Sequence, residues 1–220
     1  MPDFDEDLAD KLREYLETGS FDMEKTDISD EIKNFDITPK NEHDKSLIFA
    51  LKKWLIDELN RITDMKVNAI GICFQAGTDE KNRAGADVSF CYNTEDNPQN
   101  EISGARWNFC NWKAHYFENI DDDDAVYGSM DMWAQFRNIS FENMPQDALA
   151  AEFFPCAINA VKALKADGTI AERFGKDIPV LMIDSLELTA DSAVYTALAN
   201  DLSLLDEEYF DMRGCTFPTV

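Results

Sequence analysis

The sequence predicts an α+β domain, with a small mixed or mainly antiparallel sheet covered by helices, and three observations predict it. Between residues 47 and 62 the apolar side chains follow a helical period. From 67 to 93 two apolar runs of strand character flank a polar turn. A third strand-like run, 178–184, stands alone between helical stretches. The hairpin 67–93 and the strand 178–184 form the sheet of this reading. With 220 residues, 45% of them hydrophobic, the chain can fill one full core, since single cores extend to roughly 250 residues.

Residues 1–44 hold fifteen acids and five bases, a net charge of −10, and read as an acidic helical extension to a single α+β domain over 45–220. Within the extension, Leu8, Leu12, Tyr15 and Leu16 lie on one helical face, with Gly19 placed to end it. A second short helix carries Ile28, Ile32 and Phe35, with Ser29 available as its cap, and stops before Thr38-Pro39. Both are expected to dock on the main domain, or alternatively to form an arm that meets a partner.

The strongest helix carries Leu47, Ile48, Leu51, Trp54, Leu55, Leu59 and Ile62 on one stripe, with Lys52, Lys53, Asp57 and Glu58 off it. In 67–76, Ile70, Ile72 and Phe74 alternate with Gly71 and Cys73. In 86–93, Val88, Phe90 and Tyr92 alternate with Asp87, Ser89 and Cys91. Beyond a polar segment at 93–105, Asn108 can cap a helix whose Phe109, Trp112 and Tyr116 share a face. Four aspartates, Asp121, Asp122, Asp123 and Asp124, precede a further helix bearing Val126, Met130, Trp133 and Arg137. Carboxylates at that position are favoured by the helix dipole. Pro145 opens a long helix with Leu149, Phe153, Ala157, Val161 and Leu164 on its stripe, a kink expected at Pro155 and a stop at Gly168. Thr169 to Phe174 adds a helical turn. Val194, Leu198 and Leu202 mark the last clear helix, and Ser203 with Asp206 resembles a capping box.

The overall charge of −24 comes from 44 acids and 20 bases. It argues against nucleic-acid binding through phosphates and for a basic protein partner. No apolar run reaches the roughly 18 residues of a membrane span. The first ten residues, MPDFDEDLAD, are acidic where a signal peptide is basic and then apolar, so a cytoplasmic chain is expected. Five widely spaced cysteines without a C-x-x-C pair indicate reduced, mostly buried thiols. The nucleophile-elbow, phosphate-loop, dinucleotide-turn and zinc-helix motifs are absent, two histidines are too few for a three-histidine metal site, and no cofactor or metal is expected.

Arg106 to Phe117, RWNFCNWKAHYF, is the most distinctive passage, with two of the four tryptophans and one of the two histidines. On a structural reading its rings fill the edge of the core while Arg106 pairs with an acid such as Glu95. On a functional one, Thr94, Glu95, Arg106, Trp107, Trp112 and His115 line a cleft or anchor an interface, because Trp, Tyr and Arg are enriched at binding hot spots. The four aspartates at 121–124 are candidate contacts for a basic partner, and Asp184 and Asp191 read as turn and cap residues.

Asn93, Thr94 and Glu95 followed by Arg106, Trp107 and Trp112 resemble an uncharacterised family of bacterial domains. That family has an N-T-E turn and an R-W-x(3)-D-W signature; Asn111 stands here in place of the aspartate. The resemblance spans about 45–200 and implies association with toxin–immunity loci, where a small protein neutralises a toxin by binding it. The expectation is therefore a non-enzymatic acidic binding protein, in its most specific form an immunity-type inhibitor of a basic toxin. Its alternative is an enzyme or small-ligand domain with a cleft around Arg106, Trp107 and His115, in which Glu95 or His115 serves as acid or base.

Overall fold

Alternating apolar residues set the register of the central hairpin. The computed structural model describes residues 25–64, 66–78, 84–102, 104–112, 114–119, 125–184 and 188–219. In it β1 (Val67–Thr78) and β2 (Ala84–Thr94) pair antiparallel, Ile70 opposite Tyr92, Ile72 opposite Phe90 and Phe74 opposite Val88. β3 (Ala114–Asn119) runs antiparallel to β2, and β4 (Val180–Asp184) runs parallel to β1, with Ile72 beside Met182. The sheet is mixed, in the order β3-β2-β1-β4. With the helices around it, this is the expected α+β architecture.

In chain order the helices are α1 (Ser29–Asn34), α2 (Glu42–Arg61), α3 (Ala125–Arg137), α4 (Gln146–Ala166), α5 (Thr169–Phe174), α6 (Ala190–Ala199) and α7 (Glu207–Asp211). Leu47, Leu51 and Trp54 of α2, Met130 and Trp133 of α3, and Leu149, Phe153 and Phe154 of α4 close over Ile70, Ile72 and Phe74. Phe74 stacks on Phe153 with ring centroids 4.3 Å apart. On the opposite face Cys73, Cys91, Leu181 and Ile183 meet Ala193 and Val194 of α6, the rings of Trp107, Phe109 and Trp112, and Tyr209 and Phe210 of α7. Coverage of both faces explains why β4 is buried at all five positions and why β1 is nearly all apolar. Among the described residues no helix is long and apolar enough to cross a membrane.

The compositional step at residue 44 does not coincide with a step in packing. Ile28 and Ile32 of α1 are buried in the second apolar cluster, Thr26 bridges Cys215, and α1 lies against α6. The helix expected over 8–16 falls outside the described residues. Asn41 caps α2 by accepting from the backbone N–H groups of His43 (2.8 Å) and Asp44 (3.0 Å). Glu58, assigned by periodicity to the solvent side of α2, is buried and receives Arg61 at 2.9 Å.

Three expectations are corrected. The helix over 108–116 does not form: Asn108 caps a 3₁₀ turn of three residues, Phe109–Asn111, after which the backbone extends at Trp112 and enters β3. Side chains three apart eclipse in a 3₁₀ turn, so Phe109 and Trp112 share a side as they would in an α-helix, and Tyr116 matches that period by coincidence. Ser29 does not cap α1; its hydroxyl donates instead to Asp27 at 2.6 Å. Ser203 and Asp206 do not form a capping box: Asp206 itself caps α7 through the Tyr209 N–H (3.0 Å), and Asp201 holds the Ser203 N–H (2.9 Å) in a separate turn. α4 is assigned as one helix through Pro155, and Gly168, at φ +80°, ends it in the left-handed region.

Cys73, Cys91, Cys156 and Cys215 are buried and Cys110 is exposed. Burial pushes the Cys156 thiol up to about 12, assisted by the nearby Asp44 carboxylate, so its thiolate is scarce at neutral pH. A disulfide reagent added to the native protein should modify Cys110 quickly and the other four only after unfolding. Cys110→Ser should remove the fast phase, and a second fast thiol in that variant would contradict the burial described.

Candidate functional site

At the end of the sheet where β2 finishes and β1 and β4 begin, the chain makes a tight polar turn. Buried Asn93 donates to Asn100 Oδ1 (2.8 Å). Buried Asn97 donates to Asn93 Oδ1 (2.8 Å) and to the Asn111 carbonyl (3.0 Å), and Asn100 donates to the Thr94 carbonyl (2.8 Å). Thr94, also buried, donates its hydroxyl to Asp96 at 2.7 Å. The amides thus satisfy one another and the backbone of a segment too short for regular structure. The N-T-E passage is a structural clasp joining β2 to the tryptophan segment.

Trp107 and Trp112 lie behind that clasp, 0% and 1% exposed. Trp107 Nε1 donates to Asp206 Oδ1 (2.7 Å), and Trp112 Nε1 donates to the Arg106 carbonyl (2.9 Å). Gly71 makes room for the second ring: a Cβ there would come within 2.6 Å of Cys91 Sγ, 2.7 Å of Ile183 Cδ1 and 3.3 Å of the Trp112 ring. The glycine in the middle of β1 serves this close approach. The adjacent Arg213 is buried, donates to the Tyr209 carbonyl (2.9 Å) and sits 3.8 Å over the Tyr209 ring; burial lowers its pKa from the usual guanidinium range.

Arg106 is different. Its side chain is 39% exposed, stacks 4.3 Å over the Trp107 ring, and reaches Asp206 Oδ2 only at 3.7 Å. It opens on a cleft of about 570 Å³ lined by Asn68, Glu95, Asn100, Lys176, Asp177 and Asp206 among others, with Ile178, Pro179 and Leu205 as apolar wall. Glu95 pairs with Lys176 rather than with Arg106, and the hydrogen bond from Lys176 holds its carboxyl below the usual carboxylate range. Asp177 receives Lys165 at 2.8 Å and the Ile178 N–H at 3.0 Å.

Of the residues proposed from sequence, Glu95 and Arg106 therefore share a cleft, while Thr94, Trp107 and Trp112 support it from inside. His115 stands in β3, at the sheet's outer edge. Asp121, Asp122, Asp123 and Asp124 lie outside the described residues. Asp184 is buried, its Oδ1 accepting from Gln146 Nε2 at 2.6 Å, and Asp191 lies in the first turn of α6.

Comparison with protein-family models, with curated proteins and with solved structures finds no match for this chain.

Beside the cleft runs an open groove of about 770 Å³, lined by Gly104, Asp206, Glu207, Glu208, Asp211 and Met212. Glu208 accepts the Gly104 N–H at 2.7 Å, and Asp211 meets Lys25 at 2.5 Å. Sequence reasoning missed this surface and the cleft residues Lys176, Asp177 and Asp206. A signal was available: the segment 177–212 holds nine acids (Asp177, Asp184, Glu187, Asp191, Asp201, Asp206, Glu207, Glu208, Asp211) and no base.

Proposed function

We propose that this chain is a non-enzymatic acidic binding protein of the cytoplasm that docks a basic protein partner, in its most specific form an immunity-type inhibitor of a basic bacterial toxin. The observation that carries the reading is the groove at α7, whose charged lining residues are Asp206, Glu207, Glu208 and Asp211, all acidic, on a chain of net charge −24. Such a field draws a basic surface in and accelerates association, by roughly 10- to 1000-fold in steered complexes. The neighbouring carboxylates support binding better than proton transfer, because each is already engaged within the fold. Asp206 caps α7 and holds Trp107, Asp177 holds Lys165, and Glu95 holds Lys176. The likeness of the N-T-E turn and R-W segment to domains of toxin–immunity loci points the same way.

The product of the adjacent gene, purified and immobilised, is the partner to try. It should bind at low salt, with an association rate that falls steeply as ionic strength rises. Glu207→Lys combined with Asp211→Lys should slow association at least about tenfold without unfolding the chain, since Glu207 is exposed and Asp211 pairs only at the surface. Absence of binding at low salt, or binding indifferent to both salt and the double reversal, would overturn the reading.

A further inference from the structure

We propose that Ile102 is the apolar anchor of the groove at α7, and that the partner segment seated there carries an apolar side chain flanked by lysines or arginines. This rests on the acidic docking surface proposed above and names the segment that such a surface selects. Among the described residues five large hydrophobic side chains are exposed: Phe49, Ile102, Met132, Phe136 and Phe217. Single exposed apolar residues are ordinary, so their setting decides. Phe136 stacks on His43 with ring centroids 3.6 Å apart, and Met132 lies one turn before it on α3. Phe217 meets Phe210 edge-on, and Phe49 follows Lys45 and precedes Lys52 and Lys53 along α2. Ile102, 57% exposed, instead stands two residues before Gly104, a lining residue of the acidic groove.

The backbone on both sides of Ile102 is fixed. Its own N–H donates to the Gln99 carbonyl at 3.0 Å, and the Gly104 N–H donates to Glu208 at 2.7 Å. The Met212 thioether sulfur lies 2.5 Å from the place a Cβ on Gly104 would take, so this segment lies directly against α7. Met212 is also the large apolar side chain of the groove lining. An anchor presented on a fixed backbone loses little freedom when a partner covers it. Around it the charge has one sign: Glu101, Glu207 and Asp211 are exposed, and Asp206 and Glu208 complete the lining. An apolar centre within a charged rim is the anatomy of a protein interface, in which the charges govern association and the buried apolar contact governs lifetime. The same rim disfavours two other occupants. Residues 1–24 lead into Lys25, which pairs with Asp211 of the groove, but they hold nine acids and two bases, and a second copy brings a charge of −24.

Surface plasmon resonance on the immobilised full chain tests this with synthetic peptides. One carries two leucines flanked on either side by three lysines, a second has serines in place of the leucines, and a third has glutamates in place of the lysines; the fourth is residues 1–24. The leucine peptide should bind at least about tenfold tighter than the serine peptide, the scale expected for burying an aliphatic side chain. Added salt should weaken both and leave their ratio unchanged, because screening acts on charge and not on apolar burial. Ile102→Ser should erase the ratio and Ile102→Leu should keep it, both at an unchanged melting temperature, since the side chain is exposed and the backbone bonds do not involve it. Glu207→Lys with Asp211→Lys should weaken both lysine peptides alike. Equal affinity of the leucine and serine peptides, or a ratio untouched by Ile102→Ser, would overturn the anchor and leave a basic partner at the groove standing. Failure of both lysine peptides to bind at low salt would overturn the anchor and the acidic docking surface together. Preference for the glutamate peptide or for residues 1–24, or self-association of the full chain that Ile102→Ser abolishes, would overturn it in favour of another occupant.

Discussion

Trp107→Ala and Trp112→Ala should each cost about 3–5 kcal/mol of stability, the range for a large buried ring cut back in a packed core. Both rings are fully buried, and both carry a hydrogen bond that alanine cannot make. Removing Trp107 also strips the Asp206 carboxylate of its indole donor and the Arg106 guanidinium of the face on which it rests. Removing Trp112 opens the space that Gly71 leaves beside Cys91 and Ile183. A loss of this size is a large part of the roughly 5–15 kcal/mol that holds a domain folded. Urea unfolding followed by far-ultraviolet circular dichroism should show the midpoint falling with the slope unchanged. Near-wild-type stability in either variant would mean that the ring is not core.

That result bears on how much of the molecule is legible in the sequence. The hairpin is legible because a sheet covered on both faces leaves a plain record: Ile70, Ile72 and Phe74 on one side, Gly71 and Cys73 on the other, with matching alternation in β2. β4 and the long helices are legible for the same reason. β3 is not, because a capped 3₁₀ turn with Phe109 and Trp112 three apart imitates the start of an α-helix until Trp112 turns extended. In the candidate site, composition points to the segment and leaves two readings of its tryptophans, rings at the edge of the core or an anchor at an interface; the rings are buried, with their indole N–H groups partnered at Asp206 and at the Arg106 carbonyl. Arg106 is recognisable as a candidate, yet its expected partner Glu95 is taken by Lys176, a contact 81 positions distant that no local pattern encodes. Asp206 reads as part of a local capping motif; that it also holds Trp107, 99 positions away, is a fact of tertiary packing.

The same distinction governs the second large effect. Arg137 follows Val126, Met130 and Trp133 on the inward stripe of α3, an odd place for a cation, and Asp44 closes the acidic first segment. In the fold they meet: Arg137 reaches the two Asp44 oxygens at 3.2 and 3.3 Å and also pairs with Glu152 of α4. The Asp44 side chain is 3% exposed and that of Arg137 15%, and Asp44 also accepts the Lys40 N–H at 2.6 Å. One ion cluster therefore ties together α2, α3 and α4. Asp44→Ala should destabilise the protein by about 3 kcal/mol, at the lower end of the cost of breaking a buried pair, because Glu152 still meets part of the stranded guanidinium. Arg137→Met should cost a similar amount, since it leaves the Asp44 carboxylate buried without its cation. The double variant removes both charges and fills part of the space with an apolar side chain, so it should be less destabilised than the sum of the single changes by at least about 1 kcal/mol. Urea titration of the four proteins supplies the cycle. Strict additivity would mean that the pair contributes nothing beyond its separate groups, and that the three helices are held at this corner by apolar packing alone.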